Sequence, residues 1–304
     1  MTAAAEVAVA TVAQAFLDAC AWDVAVRKPG NVSLHSPGHR MQAEDFLASA
    51  RACVGALVAP GRRVGERVEA AVRATRAAVG CNTNLGIVLL CAPLAAAAER
   101  PGRLGAGPEV WRRALEAVFA DLDREDAAAV FRAIVVASPG GLGAAAQQDV
   151  HQPPTLALRA AMALAAGRDR IARQYRDGAA ELLDLGLAVL ARHGLEGGLG
   201  PAPAVPDAAR VAAVEHLHLA WLASAPDSHI VRRHGEAAAQ TVLSQAGAWL
   251  ARVGPGRPLQ GDPAFAAWDE ALKSASINPG TSADLVVATL MLATLQGGGR
   301  WHES

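Results

Sequence analysis

The chain lacks most of the features that mark the commoner specialised classes of protein. It has no charge imbalance: 28 Lys+Arg stand against 29 Asp+Glu in 304 residues, a net charge of -1. Binding nucleic acid through bulk electrostatics needs a basic surplus, so that class is excluded. Aromatic residues are 4%, with one Tyr, too few for the stacking platforms of single-strand binders. Four cysteines occur, Cys20, Cys53, Cys81 and Cys91. None forms a CxxC pair or a zinc-finger spacing. Four reduced thiols in a cytoplasmic protein are expected. The first residues lack the basic start of a secretory signal and are interrupted by acids. No uncharged apolar stretch reaches about 20 residues, so no membrane span is expected. Runs of β-branched residues are scarce, which leaves little from which to build a sheet.

What remains is alanine and helical periodicity. Hydrophobic residues are 52% and charged residues 19%, ample for a folded core. Residues 4–26 place Val7, Val12, Phe16, Ala19 and Val24 at helical spacing. Further helices are expected over 43–58, 64–79, 84–98, 108–121, 124–137, 153–166, 168–193, 207–223, 229–252, 263–274 and 281–296. Asp207 can cap one of them, and Thr281 or Ser282 another. Residues 133–136 could pass for a buried strand, but they continue the spacing from Val130 and end at Ser138-Pro139-Gly140-Gly141, as a helix does. The expected fold is all-α: one domain of about ten to twelve helices with no significant sheet. At about 150 residues per domain the length also admits two, and the Gly/Pro stretch 194–206 is the candidate lobe boundary. The polar motifs fall on both sides of it, which favours one domain.

Five segments break the apolar background. In the first, Arg27-Lys28-Pro29-Gly30-Asn31-Val32-Ser33 leads to His35, His39 and Asp45. Pro29 stops a helix and Gly30 admits positive φ, so the loop's donors can approach an anion; a solvated connecting loop is the plainer alternative. In the second, Asn82-Thr83-Asn84 precedes Leu85-Gly86 and an apolar helix, as a cap or an anion site at a helix N-terminus. In the third, Ser138-Pro139-Gly140-Gly141-Leu142-Gly143 leads to Asp149, either a mobile loop or a Gly-rich cleft wall. It is neither a P-loop nor a dinucleotide fingerprint. In the fourth, Asp227 is a natural N-cap, with Ser228 and His229 in the first turn and Arg232 and Arg233 beyond, whose forks suit phosphate oxygens. In the fifth, Asn278-Pro279-Gly280-Thr281-Ser282-Ala283-Asp284 opens an almost wholly apolar helix. A carboxylate there needs a partner or a metal. Asp149, Asp227 and Asp284 are hard oxygen donors of the kind that hold Mg²⁺ with substrate phosphates. HExxH, GxSxG and Cys/His clusters are absent, so zinc and serine hydrolysis lack support.

Taken in order, KPGNVS, GHRM, NTNLGI, DSHI and NPGTSADL resemble the triphosphoribosyl-dephospho-coenzyme A synthase family, which serves citrate lyase and malonate decarboxylase. The resemblance runs from about residue 22 to residue 296. It implies an all-helical enzyme that moves the triphosphoribosyl group of ATP to the 2′-hydroxyl of 3′-dephospho-coenzyme A, releasing adenine, with Mg²⁺ neutralising the triphosphate. On that reading Lys28, Arg232 and Arg233 hold the triphosphate. Gly30, Asn31, Ser33, His35, Asn82, Asn84, Gly86, Ser228, His229, Asn278, Gly280, Thr281 and Ser282 complete the substrate site. Asp227, Asp284 and Asp149 bind metal. Asp45 or His39 is the base, and Asp227 also takes part in catalysis. The partners expected are ATP and a nucleotide-like or cofactor-precursor acceptor, with no nucleic acid, no membrane and room for a homodimer.

The chain departs from the citrate-lyase type in three places. Asn82-Thr83-Asn84-Leu85-Gly86 stands where that type has Asn-Thr-His-Lys-Gly. His39-Arg40-Met41 replaces His-Lys-Asp-Met, and Asp227-Ser228-His229 replaces Asp-Thr-Asn. This version resembles a side branch associated with C1 metabolism. A different acceptor, or another ATP-dependent step in making methanopterin- or methanofuran-type cofactors, is therefore the first alternative. A non-catalytic helical scaffold is the second. A scaffold would disperse the five polar segments; an enzyme would gather them in one cleft.

Overall fold

A computed structural model describes residues 3–299 apart from Pro101, Ala144 and Pro255. The helices are α1 Ala3–Ala25, α2 Ala43–Leu57, α3 Val64–Val79, α4 Leu85–Ala98, α5 Pro108–Ala120, α6 Arg124–Ala137 and α7 Leu158–Ala165, followed by α8 Arg170–Arg176, α9 Leu187–Ala191, α10 Ala208–Ser224, α11 Ser228–His234, α12 Glu236–Leu250, α13 Pro263–Ser274 and α14 Gly280–Gln296. A π-helical turn, Leu182–Gly186, runs into α9. Among the described residues there is no strand, only isolated bridges such as Gly38 with Met41. Residues 133–136 are helical, within α6.

The helix count exceeds the expected range because two long segments are broken by backbone that leaves the helical region. Gly178 and Ala179 are both left-handed, at φ 64° and 59°, and separate α8 from the π turn. Gly235, at φ 86°, separates α11 from α12. Pro153 and Pro154 delay the start of α7 to Leu158. Asp207 caps α10, its carboxylate accepting from Arg210 N. Thr281 and Ser282 do not cap α14: its N-cap is Pro279.

Two apolar and almost wholly buried helices, α4 and α14, are the centre. All of α14 from Thr281 to Leu295 except Asp284 is buried, and α4 is buried from Gly86 to Ala98 except Ala96. A helix apolar all round needs neighbours on every side; α14 packs on α1, α4 and α10, and α4 also on α5 and α3. By length and composition Glu6–Ala25 could cross a membrane, but this helix packs its apolar stripe on α14 and α2. Pro93 lies inside α4 and cannot donate to Leu89 O; the chain's one tyrosine fills that place, Tyr175 Oη donating to Leu89 O at 2.7 Å. A second apolar cluster joins α10 to α11, α12 and α13. The 194–206 stretch is tied down: Trp22 Nε1 donates to Gly200 O at 2.7 Å, and Gly198 lies against Thr294.

Candidate active site

The polar segments meet. One cleft of about 1000 Å³ is lined by Asn31 and His39, by Asn82, Asn84 and Gly86, by Gly140, Gly141 and Asp149, by His229, Arg232 and Arg233, and by Asn278, Gly280, Thr281 and Asp284. Every one of the five segments contributes. The N-termini of α4, α11 and α14 are therefore close together, and their dipoles favour negative charge.

Asp284 is on the second turn of α14, because the helix begins at Gly280. Its carboxylate reaches the N-terminus of α4. A Cβ on Gly86 would stand 1.9 Å from Asp284 Oδ2, so only glycine fits there. Among the described residues no group donates a hydrogen bond to Asp284 or forms an ion pair with it. Burial, then the nearby charges of Asp23, Asp227 and Asp169, push its carboxyl well above the usual range.

Asp227 differs from the expectation of a metal ligand. Its Oδ1 accepts from His229 N at 2.9 Å and Ile230 N at 3.2 Å. Its Oδ2 accepts from Ser282 N at 2.7 Å and Ser282 Oγ at 2.8 Å. Four hydrogen bonds use the acceptor capacity of a carboxylate, and Asp227 does not line the cleft. One side chain thus caps both α11 and α14.

His229, half-buried against the start of α14, is pushed down to about 4 by burial and then by Arg232 and Arg233, so it is neutral near pH 7. A Cβ on Gly280 would meet His229 Nδ1 at 2.6 Å. Arg232 Nε donates to Gly140 O at 3.1 Å and its Nη1 lies 3.7 Å from Asp169 Oδ2. Gly38-His39-Arg40-Met41 forms a two-residue turn with both central residues left-handed, at φ 53° and 63°, where Asn-Gly is the usual choice. His39 Nε2 lies 2.8 Å from Gly30 O. A carbonyl partner makes Nε2 the N–H and leaves the Nδ1 lone pair free.

Other expected residues serve the walls. Lys28 is fully buried, paired with Asp23 at 3.1 Å, and does not reach the cleft. Gly30, at φ 79°, lets the Lys-Pro-Gly turn touch the Asn-Pro-Gly turn; a Cβ there would stand 2.8 Å from Ile277 O. Ser33 is buried behind the wall, and His35 contacts Ala25 O on the surface. Asp45 faces its own helix start, accepting from Gln42 N at 2.8 Å. Ser228 Oγ accepts from Arg170 N. Asp149 lines the cleft in an exposed loop, held well below the usual carboxylate range by His151 N and then Ala145 N. Asn82 Oδ1, rather than Asn84, accepts from Leu85 N at the start of α4.

Sequence reasoning missed Asp23, Asp169, Arg40 and Arg168, all of which line the cleft. Asp23 had a signal: it continues the stripe of Phe16, Ala19 and Cys20 on α1, and a carboxylate at an apolar position needs a reason. Asp169 caps α8 through Ala172 N, and caps are too common to stand out.

Among the described residues, no three His, Cys, Asp or Glu side chains converge as a metal site. Of the three aspartates expected to bind metal, Asp149 and Asp284 line the cleft and Asp227 does not. An orphaned carboxylate beside a cleft is nonetheless the donor that Mg²⁺ takes when phosphate oxygens and water supply the rest.

Residues 9–303 match the family described as CitG: ATP:dephospho-CoA triphosphoribosyl transferase. Among curated proteins no match is found. The fold is similar to that of a proposed triphosphoribosyl-dephospho-coA synthase from Archaeoglobus fulgidus, with TM-score 0.61 and 22% identity over 83% of this chain and 99% of that one. At that identity the likeness speaks for the fold. The family match spans nearly the whole chain and takes in each of the five polar segments that meet in the cleft; the chain belongs to the ATP:dephospho-CoA triphosphoribosyl transferase family and is a transferase.

Proposed function

We propose that the cleft moves the triphosphoribosyl group of ATP to a hydroxyl of a nucleotide-like acceptor, with 3′-dephospho-coenzyme A the first candidate, and releases adenine. The observation that carries this is Asp284, an unpaired carboxylate in a cleft that also presents Arg232 and Arg233. Asp284 would hold Mg²⁺, which neutralises the triphosphate when bound. Arg232 and Arg233 bind phosphate oxygens from the exposed side, and Asn82 and Thr281 offer neutral hydrogen bonds beside them.

In the reaction the C1′–N9 bond breaks and its electron pair leaves with adenine. Positive charge builds on the ribose, as in glycoside hydrolysis. The acceptor oxygen closes the new bond to C1′ and its proton passes to His39 Nδ1; a proton delivered to adenine balances the charge. His229, which lines the cleft and is neutral, would contact the leaving base or the acceptor. The four free cysteines suit a reducing compartment such as the cytoplasm.

A second acceptor class has one observation in its favour. Leu85 lines the cleft where the citrate-lyase type has a lysine, so this wall offers one charge fewer to an anionic acceptor. A less anionic cofactor precursor fits that wall better than dephospho-coenzyme A does.

Mass spectrometry after incubation with Mg-ATP and each candidate acceptor tests the reading. Free adenine and an acceptor heavier by one triphosphoribosyl group are expected. ADP or diphosphate without adenine would contradict it. Asp284→Asn should cut turnover by roughly 100-fold or more, the scale seen when a group that stabilises transition-state charge is removed.

A further inference from the structure

The chain has two lysines, Lys28 and Lys273. Each is set against an aspartate, with Nζ–Oδ distances of 3.1 Å to Asp23 and 2.9 Å to Asp269. Lys28 is the more enclosed, with no exposed surface. Its Nζ also donates to the Asp23 carbonyl, one of the last four of α1, which have no helical partner of their own. Lys28 lies just past the end of α1 and its side chain folds back onto that end, while the turn from Lys28 to Asn31 is closed by Asn31 N donating to Lys28 O. His218, fully buried near Lys28, has neither ring nitrogen hydrogen-bonded and is kept neutral by burial. Asp23 is thus the counter-charge of Lys28, and Asp23 alone of the two lines the cleft, with a side chain 4% exposed.

Building on the transfer reading above, we infer that Asp23 is the carboxylate facing the reacting ribose and that Lys28 is a positioning residue that fixes it there. Four aspartates line the cleft; Asp149 is held by His151 in its exposed loop and Asp169 lies beside Arg232, which leaves Asp23 and Asp284. Asp284 carries no counter-ion and is the better seat for a dication; Asp23 already carries an ammonium, which opposes a full dication more strongly than the partial charge that develops on a ribose. Asp23 is left to face the positive charge that develops at C1′ as adenine leaves with the bonding electron pair and the acceptor oxygen bonds. Lys28 cannot touch the triphosphate, because no part of it reaches the cleft.

Three variants test this in the full-length enzyme: Asp23→Asn, Lys28→Met and the double variant. A positioning role predicts that all three bind Mg-ATP within about threefold of wild type by calorimetry and lose turnover by about 100-fold or more. The double variant should be no worse than either single, because the residues act as a unit. It should also melt above Lys28→Met, which leaves a buried carboxylate unpaired. If Lys28→Met does not fold, the double variant decides. A tenfold or greater loss of Mg-ATP affinity in Lys28→Met or the double variant would make Lys28 a phosphate ligand and overturn the assignment. Near-wild-type turnover in Asp23→Asn or the double variant would overturn it as well. Wild-type enzyme that releases no adenine defeats the transfer reading itself; the affinities still decide whether Lys28 meets phosphate.

Discussion

Asp227 illustrates how one side chain serves two helices. It satisfies two orphan N–H groups of α11 and, from outside, one N–H and one hydroxyl of α14. Removing a cap costs about 1 kcal/mol, and leaving buried donors unpaired costs more. Asp227→Ala should therefore lower unfolding stability by about 2–4 kcal/mol, read by chemical denaturation. Loss of activity at unchanged stability would contradict this assignment. Glu215 on α10 gives a pH signature. Its Oε2 accepts from Leu259 N, its Oε1 is buried without a partner, and burial pushes its carboxyl up to about 7. A raised acid pKa means that the folded state keeps its proton while the unfolded state has lost it. Stability therefore falls as pH rises through the window from about 4.5 to about 7. His216 and His229, pushed down to about 4, tilt the other way below 6.5. The difference between wild type and Glu215→Gln isolates the effect: the variant should gain up to about 3 kcal/mol on wild type between pH 5 and pH 8. A flat difference would contradict it.

At the scale of elements, α4 joins the core to the site. Its proline removes a helical hydrogen bond, and Tyr175 from α8 replaces it. Tyr175→Phe should cost about 1–3 kcal/mol by thermal or chemical unfolding, the penalty for an unsatisfied buried carbonyl; no change would show that the carbonyl finds another partner. At the other end of α4, Gly86 admits the Asp284 carboxylate. Gly86→Ala should abolish turnover by displacing that carboxylate, and near-wild-type activity would remove Asp284 from the chemistry. The helices themselves were legible because alanine content and apolar spacing are local properties; α3, α6 and α13 have the expected bounds. The breaks at Ala179 and Gly235 were not: a left-handed alanine leaves no mark in composition, and a lone glycine is also tolerated inside a helix. Also hidden was the carboxylate that accepts from Ser282 N in the first turn of α14, since it comes from Asp227, 52 residues before the N-cap Pro279 in the chain.

Across the whole molecule, the legible part of the site was its segments, and the illegible part was which face of each segment met the cleft. Residue type alone could not place Lys28 and Ser33 behind the wall, Asp45 on its own helix start, or Asp23 at the floor, since each depends on how helices distant in sequence pack. The starts of α4, α11 and α14 meet with Asp284 in one polar cleft, and the transfer reading rests on what that cleft does to ATP. The most direct test is a single-turnover reaction with ATP carrying one label in the adenine and another in the γ-phosphate. The account predicts that the base label appears as free adenine while the γ-phosphate label moves intact into the acceptor product. A γ-phosphate label recovered in phosphate or diphosphate, with the base label still attached to ribose, would contradict it.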